Sequence, residues 1–268
     1  MDSNSDAGFK EAPLLAHLEE LRLRLIYAVV FWAIGSGIAW MYHNQLFKLL
    51  KAPFNSFIAT GGKGEIIALR LTDQLTTALQ ISLFGGIVLA LPFIVYQVWA
   101  FVAPGLTKSE RRWGGPFILG VGLSFGLGVA FAYYVILPYA VQFLLGGGFL
   151  EGVATQLTIA DYIGDILMYL GIFGLVFELP ITMYLLSKIG LVNPKFLSSI
   201  RRYAIFAIFA ASAILTPTTD LVNMSMMAVP LVVLYEIGIL LSGVAVRQNA
   251  RARKVLDANV VDDDFQDD

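Results

Sequence analysis

Long apolar runs dominate this chain, and they decide what it can fold into. About 20 mainly apolar residues suffice to cross the hydrocarbon core of a bilayer as a helix. There, every backbone polar group must be satisfied within the segment itself. Leu25–Tyr42, Leu75–Val102, Gly115–Leu137 and Tyr162–Leu186 each read as such a span, and Tyr203–Leu215 and Leu221–Val246 form a closing pair. Pro92, Pro180 and Pro230 lie inside spans, whereas Pro138 and Thr216-Pro217 are placed to end the third and the fifth. The expected fold is therefore all-α: a polytopic membrane protein with six transmembrane helices, the last two short. The composition agrees, since 57% of the residues are hydrophobic and 14% charged, against about 45–50% apolar in a soluble domain.

Charge gives the expected orientation. Of the 18 lysines and arginines, all but Lys48, Lys51, Lys63 and Arg70 fall in the N-terminal segment, the second-to-third and fourth-to-fifth loops, or the tail. Basic residues collect on the cytoplasmic side, so both termini are predicted to be cytoplasmic. The first 24 residues lack the basic-then-apolar order of a cleavable signal peptide, and the first span reads as an anchor that stays. Residues 1–13 and the acidic tail 247–268 are expected to be disordered cytoplasmic segments flanking a membrane domain at 14–246. Between the first two spans, Leu46, Phe47, Leu49, Leu50, Phe54 and Phe57 suggest an amphipathic surface helix broken at Pro53. Gly146-Gly147-Gly148 reads as a flexible joint in the other outer loop.

Several chemistries are excluded by composition. With no cysteine and only His17 and His43, no thiolate nucleophile, disulfide or metal constellation can be assembled, and no Walker-type phosphate loop is present. No cofactor, enzymatic activity or nucleic-acid partner is indicated. The residues that could do work are carboxylates. His17, Glu20 and Arg24 are three and four apart and share one helix face, read either as surface pairing or as an acidic site for a basic ligand. Thr107 and Glu110 have capping-box spacing before the third span, without excluding a role for Glu110 beside Glu20. Glu178, near the middle of its span, is costly to bury and points to a polar contact with a partner or a translocating chain. Pro180 beside it leaves backbone carbonyls short of donors. Asp161 and Asp165 suit the start of the fourth helix, Asp220 the N-cap of the sixth, and Asn193-Pro194 an N-cap followed by N1. Glu236 is open between an internal polar pair and function. Gly85-Gly86 and Gly120–Gly128 suit close helix packing.

Five motifs in order resemble one family. They are His17-Leu-Glu-Glu20-Leu-Arg22-Leu-Arg24, Phe101-Val-Ala-Pro104-Gly-Leu-Thr-Lys-Ser-Glu110-Arg111-Arg112, Phe177-Glu178-Leu-Pro180, Ser212-Ala-Ile-Leu-Thr216-Pro217-Thr-Thr-Asp220 and Tyr235-Glu236-Ile-Gly238. Together they resemble the TatC family, the multi-spanning core subunit of the twin-arginine protein translocase. The resemblance implies a cup-shaped six-helix receptor in a prokaryotic plasma membrane, not an enzyme. It implies recognition of the twin-arginine signal peptides of folded cargo. It also implies assembly with single-span subunits of the TatA/TatB type and with further copies in a lipid-embedded complex driven by the proton-motive force. Carried onto matching positions, Glu20 and Glu110 would grip the signal's arginines, and Arg22, Phe101, Pro104 and Arg111 would shape that site. Pro53 would belong to the outer cap, Glu178 to the concave face, and Thr216, Pro217 and Asp220 to the partner-docking and outer-turn region. The run Leu71-Thr-Asp-Gln74, with Gln80 near the family's usual lysine, departs from the pattern and carries no transferred role. From the residues alone, a secondary transporter using intramembrane carboxylates is the competing reading.

Overall fold

The structure, a computed structural model, describes residues 5–105, 107, 111–146, 156–215 and 221–264. Its elements in chain order are α1 (Ser5–Met41), α2 (His43–Ala59), β1 (Glu65–Ile67), α3 (Asp73–Val102), α4 (Gly114–Phe131), α5 (Leu137–Gly146), β2 (Gln156–Thr158), α6 (Ile159–Lys188), α7 (Pro194–Ser199), α8 (Arg201–Leu215) and α9 (Leu221–Asp264). Among the described residues, five segments are long and apolar enough to span a membrane: His17–Met41, Asp73–Gly105, Gly114–Gly146, Ile159–Lys188 and Met224–Ala250. α8 has 15 residues, about 22 Å at 1.5 Å per residue, less than the roughly 30 Å hydrocarbon core. α9 carries the last span, Met224–Ala250, and runs on through the charged tail to Asp264. The first helix begins at Ser5.

The chain divides into two compact units. The first comprises the described residues up to Gly122 together with the stretch from Val141 to Met168. Its centre is the packing of α1 on α3. Lipid tails are as apolar as leucine, so close approach of small residues, not hydrophobic exclusion, holds such helices together. A Cβ built on Gly35 would lie 2.8 Å from the carbonyl oxygen of Gly86, and one on Gly85 would lie 3.0 Å from the Ala39 methyl. The backbones thus touch along this stripe, as Gly85-Gly86 led one to expect. The Trp32 indole N–H donates to the Leu83 carbonyl at 2.9 Å, and Phe31 stacks on Phe93 with ring centroids 4.8 Å apart.

The proline of α2 does not break it. The helix continues through Pro53, which is buried on the same face as Leu50, Phe54 and Phe57, so packing offsets the missing N–H. Tyr162 anchors this face, its hydroxyl donating to the Leu50 carbonyl at 3.1 Å and its ring lying edge-on to Phe54. α2 stops where Gly61 takes φ +93°: its N–H bonds the Ile58 carbonyl and that of Gly62 bonds Phe57, the Schellman arrangement that needs a left-handed residue. β1 and β2 pair in parallel, Glu65 with Gln156 through Ile67 with Thr158. Two three-residue strands leave too little alternation to be read from sequence. At the start of α6 the Thr158 hydroxyl caps the helix, accepting the Asp161 N–H at 3.1 Å and donating to the Asp161 carboxylate at 2.6 Å.

The second unit comprises Leu123–Ala140 and the described residues from Tyr169 onward. Pro138 does not end the third span. A π-turn at Ala132–Ile136 precedes it, with the Leu137 N–H reaching back to the Ala132 carbonyl. The wider turn makes room for the proline ring against the preceding carbonyls, and the helix resumes as α5. α4 meets α6 through glycines: a Cβ on Gly128 would strike the Phe173 backbone, and one on Gly174 would lie 2.6 Å from the Phe125 ring. Ser124 donates to the Phe177 carbonyl at 2.6 Å, one turn before Pro180, where the helix ladder is interrupted. α6 ends in a second Schellman motif at Gly190, φ +81°. Asn193 then caps α7 by accepting the Lys195 N–H at 2.9 Å, with Pro194 at N1 as expected.

Candidate functional site

The carboxylate of Glu20 is the centre of the site at the N-terminal end of the first span. Because α-helical residues three and four apart lie on one face, His17, Glu20 and Arg24 meet. Arg24 donates from both Nε (2.9 Å) and Nη2 to Oε1 of Glu20. The other oxygen, Oε2, lies 3.6 Å from His17 Nδ1. One carboxylate oxygen is thus engaged by a guanidinium, and the second faces a weaker partner. The side chain of Glu20 keeps 34% of its surface exposed and that of Arg24 25%, so an incoming cation can reach the pair.

The far side of the site comes from the end of α3. Phe101 stacks on the His17 ring with centroids 4.3 Å apart and planes within 10°. A single 3-10 turn, Ala103–Gly105, follows and presents Pro104 at the surface. Arg111 ties the connection back, its Nε donating to the Ala103 carbonyl at 3.3 Å. Buried Trp99 fixes where α4 departs: its indole occupies the space a side chain at Gly114 would need, and its ring lies 5.4 Å from that of Phe117. Phe101, Pro104 and Arg111 therefore sit on one braced turn, with Phe101 reaching the Glu20 face of α1.

Other expected residues fall elsewhere. Arg22 is exposed two residues beyond Glu20, about 200° around the helix, and so faces away from it. Pro53 belongs to α2, which follows the opposite end of α1. Glu110, Thr216, Pro217, Asp220 and most of the Gly146–Gly148 joint lie outside the described residues. Glu178 is in α6, and both of its carboxyl oxygens are buried, with the Phe125 backbone beside them. Glu236 resolves to an internal pair: Arg201 binds it through Nε at 2.7 Å and Nη2 at 2.9 Å, fork to carboxylate. The neighbouring Tyr235 hydroxyl donates to the Leu197 carbonyl at 2.8 Å.

Sequence spacing had put His17 on the face of Glu20, but not its stack on Phe101, because a contact so distant in sequence leaves no local pattern. Nor did it single out Asp73, whose buried carboxylate accepts the backbone N–H groups of Leu69 and Arg70 and so shapes the loop that had departed from the family pattern.

The family model of the Sec-independent protein translocase protein (TatC) matches residues 16–230, from just before His17 to Pro230. The chain belongs to the TatC family. The Sec-independent protein translocase protein TatC of Deinococcus radiodurans is 47% identical over 235 residues, covering 87% of this chain and 86% of that protein. The TatC of Aquifex aeolicus is 41% identical over 243 residues, covering 90% and 99%. A crystal structure of a twin-arginine translocase receptor TatC superposes with a TM-score of 0.74 at 41% identity, over 85% of this chain and 99% of that one. A second, in DDM, gives 0.75. TatC proteins are translocase subunits and not enzymes, and the several apolar spans agree with a multi-pass membrane protein of this family.

Proposed function

We propose that this chain is the receptor subunit that binds twin-arginine signal peptides at the Glu20 face and organises single-span partner subunits for export of folded proteins. The observation that carries the reading is that Glu20 already holds a guanidinium. A guanidinium has five N–H donors and no acceptor, so recognising one calls for a carboxylate with fork geometry; an ammonium lacks that planar match. Glu20 offers this chemistry, half-exposed, beside an aromatic ring and a braced turn. Glu110, on the same loop as Arg111, is the second carboxylate of the proposed site. Both termini and this face are placed in the cytoplasm by the distribution of basic residues, in a prokaryotic plasma membrane. Glu178 supplies an intramembrane polar contact during transport, Thr216, Pro217 and Asp220 form the partner-docking turn, and the proton-motive force drives the cycle.

Site-specific photocrosslinking in membranes tests the reading. A probe at position 20 or 110 is offered a signal peptide carrying Arg-Arg or Lys-Lys. Crosslinks confined to Arg-Arg are expected. Their absence from both positions in inserted protein returns the glutamates to surface pairing.

A further inference from the structure

His17 stands beside the one oxygen of Glu20 that Arg24 does not bind. Its Nδ1 lies 3.6 Å from Oε2, while both contacts from Arg24 go to Oε1. The ring is held in that place by its stack on Phe101, with centroids 4.3 Å apart and planes within 10°. Among the described residues, Glu20 is the charged group within ion-pair distance of His17, with Arg24 behind it on the same helix face. Phe101, which meets the ring from α3, carries no charge. The His17 side chain is 49% exposed, so its ring exchanges protons with solvent.

The charge on this ring decides what an incoming guanidinium meets. Imidazole is the side chain that ordinarily changes charge between about pH 5 and 8. With the ring neutral, Arg24 and Glu20 sum to zero and Oε2 has only a neutral neighbour. With the ring protonated, Oε2 faces a second cation and the three side chains together carry one positive charge. A further arginine is then both repelled and denied its oxygen. We propose that His17 competes with the signal arginine for Oε2 of Glu20, so that docking of a signal peptide requires the neutral ring and expels its proton. This rests on the receptor reading above and names the group that the arginine must displace. The coupling is reciprocal: the factor by which the proton weakens the signal is the factor by which the signal weakens the proton.

Fluorescence anisotropy of a labelled, N-acetylated Arg-Arg peptide tests this, on the full-length chain in phosphatidylcholine nanodiscs from pH 5.5 to 8. The chain has two histidines, and His43 lies beyond the other end of α1, so His17→Gln and His43→Gln separate their contributions. Wild type is expected to bind about two- to fivefold more tightly at pH 8 than at pH 5.5, the range of a partly exposed ion pair. His17→Gln is expected to hold the tighter value throughout, and His43→Gln to keep the wild-type slope. A flat wild-type profile, an unchanged slope in His17→Gln, a slope lost in His43→Gln, or tighter binding at the acid end would each overturn the competition while leaving the receptor reading in place. No binding by wild type at any pH would overturn the receptor reading and this inference with it.

Discussion

Arg24 occupies the carboxylate that the proposed receptor must offer to its ligand, and this has a measurable consequence. Arg24 donates twice to one oxygen of Glu20, so a signal arginine must share or displace an internal guanidinium. Removing the competitor by Arg24→Gln is expected to tighten binding of an Arg-Arg signal peptide. The pair is partly exposed and spaced i,i+4, and pairs of that kind bias an equilibrium by a factor of about two and at most about five. The expected gain is therefore about two- to fivefold, shrinking as salt rises because the contact is screened. Glu20→Gln removes the charge that both cations seek, and is expected to weaken the same peptide by about tenfold or more, the scale of a charge-assisted hydrogen bond. Fluorescence anisotropy of a labelled peptide on protein in nanodiscs measures both, with a Lys-Lys peptide as reference. Opposite signs for the two variants support competition at one carboxylate. Equal weakening by both would refute it and make Arg24 a support that orients Glu20. Wild-type affinity in both would remove Glu20 from the site altogether.

Four structural outcomes can be checked in parallel. Gly35→Ala pushes a methyl into the Gly86 backbone and is expected to cost about 1–3 kcal/mol in unfolding of detergent-solubilised protein, whereas Gly37→Ala, with nothing within 4 Å, is expected to be silent. Gly190→Ala forces a side chain into φ +81° at the end of α6 and is expected to cost about 1 kcal/mol in the same assay. Glu236→Gln unfastens the fork from Arg201, which is half-exposed, so a loss of no more than about 1 kcal/mol that fades at high salt is expected; a loss of several would mean the pair is shielded in the membrane. Glu178→Ala is expected to leave Arg-Arg peptide binding intact while lowering export of a folded reporter, and failure of the variant to insert would instead assign Glu178 a structural role.

The spans were legible because a bilayer imposes one rule, an apolar run long enough to cross, and α3 and α6 extend only a few residues beyond the expected runs. Proline misled where local geometry could absorb it: Pro53 is buried within α2, and the π-turn before Pro138 carries the third span onward. In both cases a backbone penalty of known sign was overridden by packing or by one wider turn, neither of which has a sequence signature. The candidate site divides in the same way. Glu20 and Arg24 meet because the helix period dictates it, and Arg22 turns away for the same reason, although it sits in the same motif. Motif membership and spatial neighbourhood are thus separable in α1. A role for Arg22 in signal binding requires a ligand that reaches around the helix, whereas Glu20, His17 and Phe101 can act on a single approaching group. The Phe101 stack was not legible at all, since it depends on where α3 ends, and that is set by Trp99 filling the space at Gly114. Enlarging Gly114 should therefore disturb the site without touching any residue that contacts the ligand. Gly114→Val is expected to weaken Arg-Arg peptide binding while Gly115→Val, in open space one residue on, is not. Equal effects of the two would show that the turn is positioned by something other than the Trp99 contact.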